Sequence, residues 1–479
     1  MVFHGSLACR SPEPEASADT RGTSDSMFNL AHLDYLGEDL AGGIRIVHIY
    51  SEAPDYLYVG DADEGIACVD DVARAAVVYL RHFELTGDRA SLEMGKALVR
   101  FVMHMQSDAG LFYNFVFDRD LRINTTHQNS TADAFTWWAG RAVWALGTAA
   151  RVLKLEDPEF SAECVERIRR TLPHLAGMLE HYGQTTTVAG REVPLWLVGE
   201  YASDATSEMM LGLVALREAY PDAYPDTDLH EMIARFSDGI ARMQYGSMNV
   251  FPYAAHVSYP NEWHGWGNSQ TQALAEAGLV ESALREANAF YPRLLVAGWR
   301  HSMVLDDPEG GRDFEQIAYA VRGVAVGLAR LHAQTGETRY ATLAGLAASW
   351  FTGNNAAGVA MYDPETGRVF DGINDPETVN RNSGAESTIE GLVTVLEIEQ
   401  IPEALRWLHA RGGAVEQTMR DGDEYLYRVF SAPASASHAD HPDASDARVG
   451  VVMNLTQETL ELMYGPALDE FVALTSPSG

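Results

Sequence analysis

The segment from Tyr259 to Gln270 holds the densest group of chemically functional side chains in the sequence. Its candidate site residues are one acid, one imidazole, two indoles and one of its three amides, namely Glu262, His264, Trp263, Trp266 and Asn268. Aromatic rings pack well on the apolar C–H faces of pyranose rings. A carboxylic acid can protonate the oxygen of a glycosidic bond. The segment therefore predicts a carbohydrate site, with Glu262 as its candidate acid.

Acidic residues also stand at the start of predicted helices. Asp70 and Asp71 open the apolar run that follows Cys68. Either acid could cap the helix, but two adjacent acids exceed what a cap needs, so we expect one to face the site. Ser203 is a natural N-cap residue, which leaves Asp204 free to point inward.

Two later acids, Glu315 and Glu386, have the same placement before or within the first turn of a helix. Ser383 and Glu386 have the spacing of a capping box, so a structural and a catalytic role both stay open for Glu386. Arg381 and Asn382, just before it, are expected to bind hydroxyls or a carboxylate.

Aromatic residues at two further helix starts are candidate sugar platforms. Trp137 and Trp138 are adjacent, and tandem tryptophans are costly to expose without purpose. We expect one of them to be in the core and the other to stack on a sugar, although burial of both is the alternative. Tyr201 precedes the helix that Asp204 opens, and it is a third candidate.

The sequence lacks the motifs that are typical of several other kinds of enzyme. The chain has no His-Glu-x-x-His motif, clustered cysteines or Walker A loop. It also has no Gly-x-Ser-x-Gly elbow and no EF-hand loop. We therefore expect neither a metal nor a cofactor.

The elements that must position these residues are helices. The phrase "apolar helix, Thr-Gly-acid, apolar helix" occurs twice, with turns at Thr86-Gly87-Asp88 and Thr335-Gly336-Glu337, and it is typical of an αα-hairpin. Periodicity predicts twelve helices, over residues 69–85, 90–105, 131–154, 159–182, 203–219, 226–244, 267–278, 280–296, 313–334, 338–352, 384–399 and 401–411. This pattern indicates an all-α (α/α)6 toroid with a central pit, and an open superhelical array is the alternative.

The ends of the chain differ from this helical part in composition. Residues 1–26 are predicted to be a disordered tail or a lipoprotein tether, 27–412 the toroid and 413–479 a small extension with short strands. Cys9 follows Ser6-Leu7-Ala8 like the end of a lipoprotein signal. If the true start lies upstream, a periplasmic or cell-surface lipoprotein is expected, and otherwise a cytoplasmic protein.

Overall charge narrows the possible partners. The 479 residues include 68 acidic and 34 basic side chains, a net charge of −34. Such a balance argues against nucleic acid as a partner, because phosphate binding needs a basic surface. No apolar run is long enough to predict an integral membrane segment. Oligomeric state is left open.

The chain resembles a known group of proteins in two segments, Cys68–Ala75 and Asn380–Thr388. These are similar to a bacterial group of glycosidase-like (α/α)6-barrel proteins and to toroid modules attached to some glycosyltransferases. The stretch Trp350–Asn355 is similar to a late Gly-x-Asn segment of family 9 endoglucanases. That family carries an Asp-Ala-Gly-Asp motif, whereas here Leu111 follows Asp108-Ala109-Gly110. The resemblance implies the fold and a carbohydrate-related role, but no catalytic assignment.

The sequence as a whole indicates a glycoside hydrolase acting on an oligosaccharide or polysaccharide. Glu262 as acid and Asp71 as base form the preferred pair, and all the clusters are expected at one end of the toroid. A lyase or epimerase acting on uronic acids is one alternative, with His264 or a tyrosine as base and Arg381 neutralising the substrate. A non-catalytic glycan-binding module is another.

Overall fold

The chain folds into a closed ring of paired helices. The computed structural model describes residues 26–224, 226–433 and 447–475, without the side chain of Glu200. In the described part the inner helices are Val69–Thr86 (α1), Trp137–Glu156 (α3), Ser203–Ala219 (α5), Gln270–Ala277 (α7), Ala318–Thr335 (α9) and Ala385–Ile398 (α11). The outer helices are Arg89–His104 (α2), Pro158–Leu179 (α4), Leu229–Arg242 (α6), Val280–Ala297 (α8), Thr338–Ala348 (α10) and Pro402–Trp407 (α12).

Contacts between the inner helices close the ring. Each inner helix packs on the next in the order α1, α3, α5, α7, α9 and α11, and α11 returns to α1. Each outer helix packs on the inner helix that precedes it. This order is that of an (α/α)6 toroid, so the predicted fold class is confirmed and the open array is wrong.

Glycines end helices at the two repeated turns. Gly87 after α1 and Gly336 after α9 have φ angles of 73° and 71°, and their N–H groups donate to Phe83 and His332. Glycine adopts this left-handed conformation without steric cost, which explains the shared Thr-Gly-acid phrase.

Glycines also let two inner helices approach closely. A Cβ on Gly212 in α5 would fall far inside van der Waals contact with the backbone of Val143 in α3. A Cβ on Gly147 in α3 would meet the backbone of Gly212 in the same way. The α3–α5 contact is therefore made backbone to backbone.

Helix caps differ from those predicted. The N-cap of α1 is Cys68, whose Sγ accepts from the N–H of Asp71, so neither acid caps the helix through its side chain. Ser203 is the first residue of α5, and its hydroxyl donates to the Val257 carbonyl at 2.6 Å. The N-cap of α11 is Gly384.

The capping box considered for Ser383 and Glu386 is not formed. Asp371 instead accepts hydrogen bonds from the Gly384 N–H at 2.9 Å and from the Ser387 hydroxyl at 2.5 Å. A carboxylate distant in sequence thus accepts the hydrogen bonds at the start of α11, and the side chain of Glu386 is left for another role.

Short helices and strands fill the interhelix loops. The remaining helical segments are Ala31–Leu36, Val198–Tyr201 and Gly465–Thr475, with 3-10 turns at Ala41–Gly43, Gln128–Ser130 and Ser349–Thr352. Two-stranded pairs are Gly37–Asp39 with Arg45–Val47, Tyr50–Glu52 with Leu57–Val59, Ala67–Cys68 with Phe115–Val116, Thr185–Val188 with Arg191–Pro194, and Tyr362–Asp363 with Arg368–Val369. One three-stranded sheet joins Asp307–Arg312, Ser302–Val304 and Glu262–His264 in that order. Another joins Gln316–Ile317, Gly372–Asp375 and Thr378–Asn380.

A four-stranded antiparallel sheet follows the last hairpin, formed by Arg411–Arg420, Asp423–Ala432, Ala447–Asn454 and Thr459–Tyr464. Leu426 and Phe430 on one face join the toroid core, and Phe471 of the C-terminal helix covers Tyr427 on the other. The strands predicted for the C-terminal extension are present, while the division at residue 412 stays a prediction.

The tail and part of one loop lie outside the described residues. These include Cys9, on which the lipoprotein prediction depends, and most of the loop at 431–445. Of the helices that the structure describes, none is both long and apolar enough to cross a membrane.

Candidate active site

Charged and aromatic side chains occupy matching depths at the N-terminal ends of the inner helices. The first turns carry Asp70, Trp137, Asp204 and Glu386. A second set is buried, with all members except Tyr319 about one turn further along their helices, and we call it the buried charge layer: Arg74, Arg141, Glu208, Tyr319, Arg322 and Glu390. Residues four apart share one face of a helix, so pairs such as Asp70 and Arg74 point toward the same axis. We call the space above this layer the pit.

Arg74 joins the first and last inner helices. Its Nη1 lies 2.6 Å from Glu390 Oε1, and its Nη2 lies 2.9 Å from Asp71 Oδ1 and 3.4 Å from Glu386 Oε2. Its Nε donates to the Asp70 carbonyl at 3.0 Å. One guanidinium therefore holds three carboxylates in fixed positions.

The rest of the buried charge layer links opposite sides of the ring. Arg141 pairs with Glu208 at 2.7 Å and donates to the Tyr319 hydroxyl, which donates to Glu208 at 2.9 Å. Arg322 pairs with Glu390 at 2.5 Å. Burial alone would raise the pKa of Glu208, but neighbouring guanidiniums, led by Arg141, lower it. The layer forms a charged floor beneath the pit.

Glu386 is the more exposed of the two accessible acids described in the pit, with 49% of its side chain exposed. Desolvation by the surrounding protein outweighs the attraction of Arg74 and, with repulsion from Asp71, raises the pKa of Glu386 to about 7. Exposure and desolvation coexist because a side chain in a concavity can be reached by a ligand while protein replaces much of its hydration.

Asp70 and Trp137 form a second accessible pair. Asp70 Oδ1 lies 2.6 Å from Arg141 Nη1, and the Trp137 indole donates to Asp70 Oδ2 at 3.2 Å. Both side chains are partly exposed. Trp138 is buried, with its indole N–H donating to the Phe112 carbonyl at 2.6 Å. The tandem tryptophans thus occupy different environments, and only Trp137 presents its ring beside the pit acids.

Asp71 is buried beneath them. Its carboxylate accepts from Arg74 and from the Cys68 thiol at 3.2 Å. Burial raises the pKa of Asp71 against the opposing attraction of Arg74. Its position suits it to holding Arg74, and a ligand would not reach it without displacing other side chains.

A buried imidazole stands beside Asp204. His264 Nε2 lies 3.2 Å from Asp204 Oδ2, but neither ring nitrogen of His264 forms a hydrogen bond with the described residues. The ring stacks on Trp266, with centroids 3.9 Å apart and planes inclined by 14°. His301 lies on the other side, 4.9 Å from Trp266. These side chains form one wall of the site, with the partly exposed Trp266 ring as its surface.

Glu262 lies in a loop strand and Glu315 lies just before another, so neither is on an inner helix. Alternation along the strand puts Glu262 on the face of His264, whereas Trp263 points the other way and packs on Phe290 at 5.0 Å. Glu262 is half-buried and forms no ion pair within the described chain. Glu315 is also half-buried, against Gly372. The Glu262–Asp71 pair stays a prediction.

The remaining predicted binding residues have mixed positions. Trp263 and Asn268 are buried, and the Asn268 amide donates to the His264 carbonyl at 2.9 Å. Asn382 Oδ1 accepts from the Ala53 N–H at 3.0 Å. The exposed and half-buried candidates are Arg381 and Tyr201. Burial takes Trp138, Trp263 and Asn268 out of direct reach of a ligand, and Asn382 is engaged in holding a neighbouring loop.

Sequence reasoning missed the buried charge layer. Its members interrupt apolar helical runs, as Arg74 does between Ala73 and Ala75 and Arg322 between Val321 and Gly323. A charge surrounded by apolar residues on every side of a helix must find a buried partner. That signal could have identified most of the layer, although not which residues pair.

The opposite end of the ring carries another set of ion pairs around a cavity of about 280 Å³. Glu397 lies 2.7 Å from Arg81 and 2.8 Å from Arg330. Burial disfavours its charge, yet these guanidiniums lower the pKa of Glu397 to about 2. Each basic group at this end has an acidic partner, which is the pattern of a structural network.

No group of three or more His, Cys, Asp or Glu side chains in the described segments is arranged to hold a metal ion.

Comparison with known proteins reveals the fold through structure alone. No family model and no curated protein matches the sequence. The cellobiose 2-epimerase of Bacillus thermoamylovorans B4167 superposes with a TM-score of 0.55 at 13% identity, covering 78% of this chain and 96% of that one. A D-mannose isomerase gives 0.53 at 10% identity, with 77% and 95% coverage. A sugar epimerase from a ruminal bacterium gives 0.51 at 13%, with 79% and 96%. The resemblance to six-hairpin (α/α)6 proteins is thus confirmed for the fold.

Proposed function

We propose that the protein is a glycoside hydrolase in which Glu386 is the general acid. The observation that carries this proposal is an exposed carboxyl in the pit whose pKa is raised to about 7. A general acid works best when its pKa lies near the working pH, because it must be protonated before the reaction and lose the proton during it. Glu386 meets both needs near neutrality.

Asp70 is the second carboxylate of the proposed reaction. The proton of Glu386 goes to the glycosidic oxygen as its bond to the anomeric carbon breaks. Asp70 either takes a proton from the water that attacks this carbon or first attacks the carbon itself. Its pairing with Arg141 holds the carboxylate in place, and the Trp137 ring beside it supplies a surface for the sugar.

This assignment replaces the pair preferred from sequence. Asp71 is buried and bound to Arg74, so we assign it a positioning role. Glu262 lies on a loop strand and is not part of the Arg74 and Arg141 networks. It remains a candidate for contact with a substrate at the His264 wall.

A sugar epimerase or isomerase is the second candidate, favoured by the His264–Asp204 pair. An imidazole beside a carboxylate is suited to taking a proton from a carbon next to a carbonyl group. The three structures compared above are named as sugar epimerases or an isomerase, which agrees with this candidate.

One panel separates the candidates. Wild-type protein is incubated with nitrophenyl glycosides and neutral oligosaccharides, and with free sugars in D2O. Hydrolysis is measured as new reducing ends, and epimerisation or isomerisation as deuterium incorporated at carbon. We expect reducing ends, with Glu386→Gln and Asp70→Asn each lowering the rate by about 10²–10⁴-fold.

Two further variants fix the interpretation. Glu416→Gln changes an exposed acid on the C-terminal sheet and should leave the rate unchanged. Deuterium incorporation that His264→Asn abolishes and Glu386→Gln leaves intact would replace the hydrolase with the epimerase. Absence of both reactions would favour the binding module.

A further inference from the structure

Two strands beside the pit form what we call the rim hairpin, Tyr50–Glu52 and Leu57–Val59. Tyr50 pairs with Val59 and Glu52 with Leu57, so these four side chains share one face. On that face Tyr50, Val59 and Leu57 are 41%, 38% and 63% exposed. The hairpin therefore presents an apolar face to solvent.

The other face of the hairpin is anchored. The Ser51 hydroxyl donates to the Tyr56 carbonyl at 2.9 Å, and the Tyr58 ring stacks on His48 with centroids 3.9 Å apart. The orientation of the hairpin is thus fixed, and the exposure of the Tyr50 face is a property of the folded chain.

The rim hairpin is attached to the segment that leads into Glu386. The N–H groups of Ser383 and Ala385 donate to the carbonyls on either side of Tyr50, those of Ser51 at 3.0 Å and Ile49 at 2.9 Å. A Cβ at Gly384 would lie only 2.8 Å from the Ile49 carbonyl, so this approach requires glycine. Tyr50 is therefore held one short segment away from the proposed acid.

The Tyr50 ring is also oriented toward the start of α1. Its hydroxyl donates to Glu64 at 2.7 Å, and Glu64 lies in the loop just before Cys68. Burial of the hydroxyl and this hydrogen bond raise the pKa of Tyr50, and Cys68 and Asp71 add to the shift. The phenol is thus held against the loop that leads into α1, and the apolar face continues outward from it.

The side chains of this face restrict the kinds of ligand that it can bind. An aromatic ring with carboxylates beside it matches a sugar, which offers C–H faces and hydroxyl donors together. The acids along the hairpin and the following loop disfavour an anionic glycan, and they are Glu52, Asp55, Asp61, Asp63 and Glu64.

We propose that the Tyr50 face of the rim hairpin is a further sugar subsite, so that the substrate is a neutral glycan chain extending beyond the pit. The inference rests on the proposed function, because it takes the pit as the place where the chain is cut. It adds to that proposal that the substrate is a chain longer than the pit and that it is uncharged.

Affinity electrophoresis tests this inference without requiring cleavage. Glu386→Gln protein is run through gels containing soluble glucan, xylan, mannan or galactan, and through a gel containing polygalacturonate as the anionic comparison. We expect retardation by at least one neutral polysaccharide and none by the anionic one. Adding Tyr50→Ala should weaken that binding by about tenfold, the value of one aromatic contact.

The controls separate stacking from folding. Tyr464→Ala removes a tyrosine of similar exposure from the C-terminal sheet and should leave retardation unchanged. Tyr50→Phe keeps the ring and loses only the bond to Glu64, so it should retain most of the binding.

Three results would overturn the inference. They are equal retardation of the Tyr50→Ala protein, retardation by polygalacturonate alone, and no retardation by any neutral polysaccharide. Self-association at this face, lost in Tyr50→Ala when measured by sedimentation, would assign it instead to a second copy of the chain. The hydrolase proposal is judged separately, by the rate loss in Glu386→Gln.

Discussion

Glu386 owes its properties to the two groups that share Arg74 with it. Glu390 and Asp71 lie closer to the guanidinium, at 2.6 and 2.9 Å, than Glu386 does at 3.4 Å. The positive charge is therefore largely neutralised before Glu386 interacts with it, and desolvation determines the outcome. Such an arrangement allows one acid to stay protonated near neutrality among others.

The raised pKa of Glu386 has a consequence for stability. Folding favours the protonated carboxyl, so the associated stability is complete below pH 4.5 and is lost as the pH rises through about 7. The neutral Glu386→Gln side chain cannot ionise. We expect its Tm to match wild type near pH 4.5 and to exceed it at pH 8, as measured by thermal unfolding in low-salt buffers. An equal difference at both values would contradict the raised pKa.

The pH dependence of activity should be set by the ionisation of the same carboxyl group. The general acid must carry its proton, so kcat/KM on a nitrophenyl glycoside should fall above about pH 7 as Glu386 ionises. The variant Asp71→Asn removes one negative neighbour and should shift this limb to lower pH. A limb unchanged in Asp71→Asn would show that another group controls it.

At the residue scale, sequence reasoning identified acids but not their roles. Asp70, Asp204 and Glu386 stand at helix starts, and that much follows from the sequence. Caps, however, depend on distant partners such as Asp371, which lies 13 residues before Gly384. Propensity rules describe only local partners, so they could not separate the capping from the catalytic interpretation of Glu386.

At the scale of elements, helix pairs were predictable because each carries its own apolar period and its own turn. The helix Ser203–Ala219 has the predicted bounds, and α1 and α9 end at the predicted glycines. The helix expected over 131–154 begins later, at Trp137, because a 3-10 turn and loop precede it. The short loop strands depend on pairing between remote segments, which no local pattern encodes.

The contact between α3 and α5 gives a test of element packing. Gly212→Ala would place a methyl group against the Val143 backbone, which cannot move without shifting a helix. Such overpacking costs about 1–3 kcal/mol. Gly177→Ala in the exposed end of α4 is the matched control, because a Cβ there meets nothing within 4 Å. It should stabilise by up to about 1 kcal/mol, and urea unfolding of both variants measures the contrast.

At the scale of the whole molecule, buried ion pairs cross the ring at two depths. The buried charge layer connects α1, α5, α9 and α11 beneath the pit, and Glu397 connects α1 with α9 at the other end. Because these pairs are buried, salt weakens them little. They therefore constrain the relative positions of helices that do not follow one another in sequence. The network of partners could not be derived from the sequence, because it exists only once the ring closes.

Glu397 offers the clearest test at this scale. Its pKa falls from 4.5 to about 2, so its contribution is complete above pH 4.5 and is lost as the pH falls through 2. That shift corresponds to about 3 kcal/mol. Glu397→Gln leaves Arg81 and Arg330 without this partner and should lower the unfolding free energy at pH 7 by about 3–5 kcal/mol. The difference from wild type should shrink toward pH 2 in urea titrations, and a constant difference would contradict the assigned pKa.

Closure of the ring by α11 against α1 has a consequence for synthesis. Arg74 and Glu390 are 316 residues apart, so the guanidinium is translated long before its carboxylate exists. On the ribosome, the nascent α1 carries the charge of Arg74 without Glu390, and the apolar side that α11 covers in the folded protein has no partner. The pit, its floor and the rim hairpin can therefore assume their final positions only after α11 has left the exit tunnel. A chain halted before that point would contain most of the helices but would lack the assembled active site that we propose.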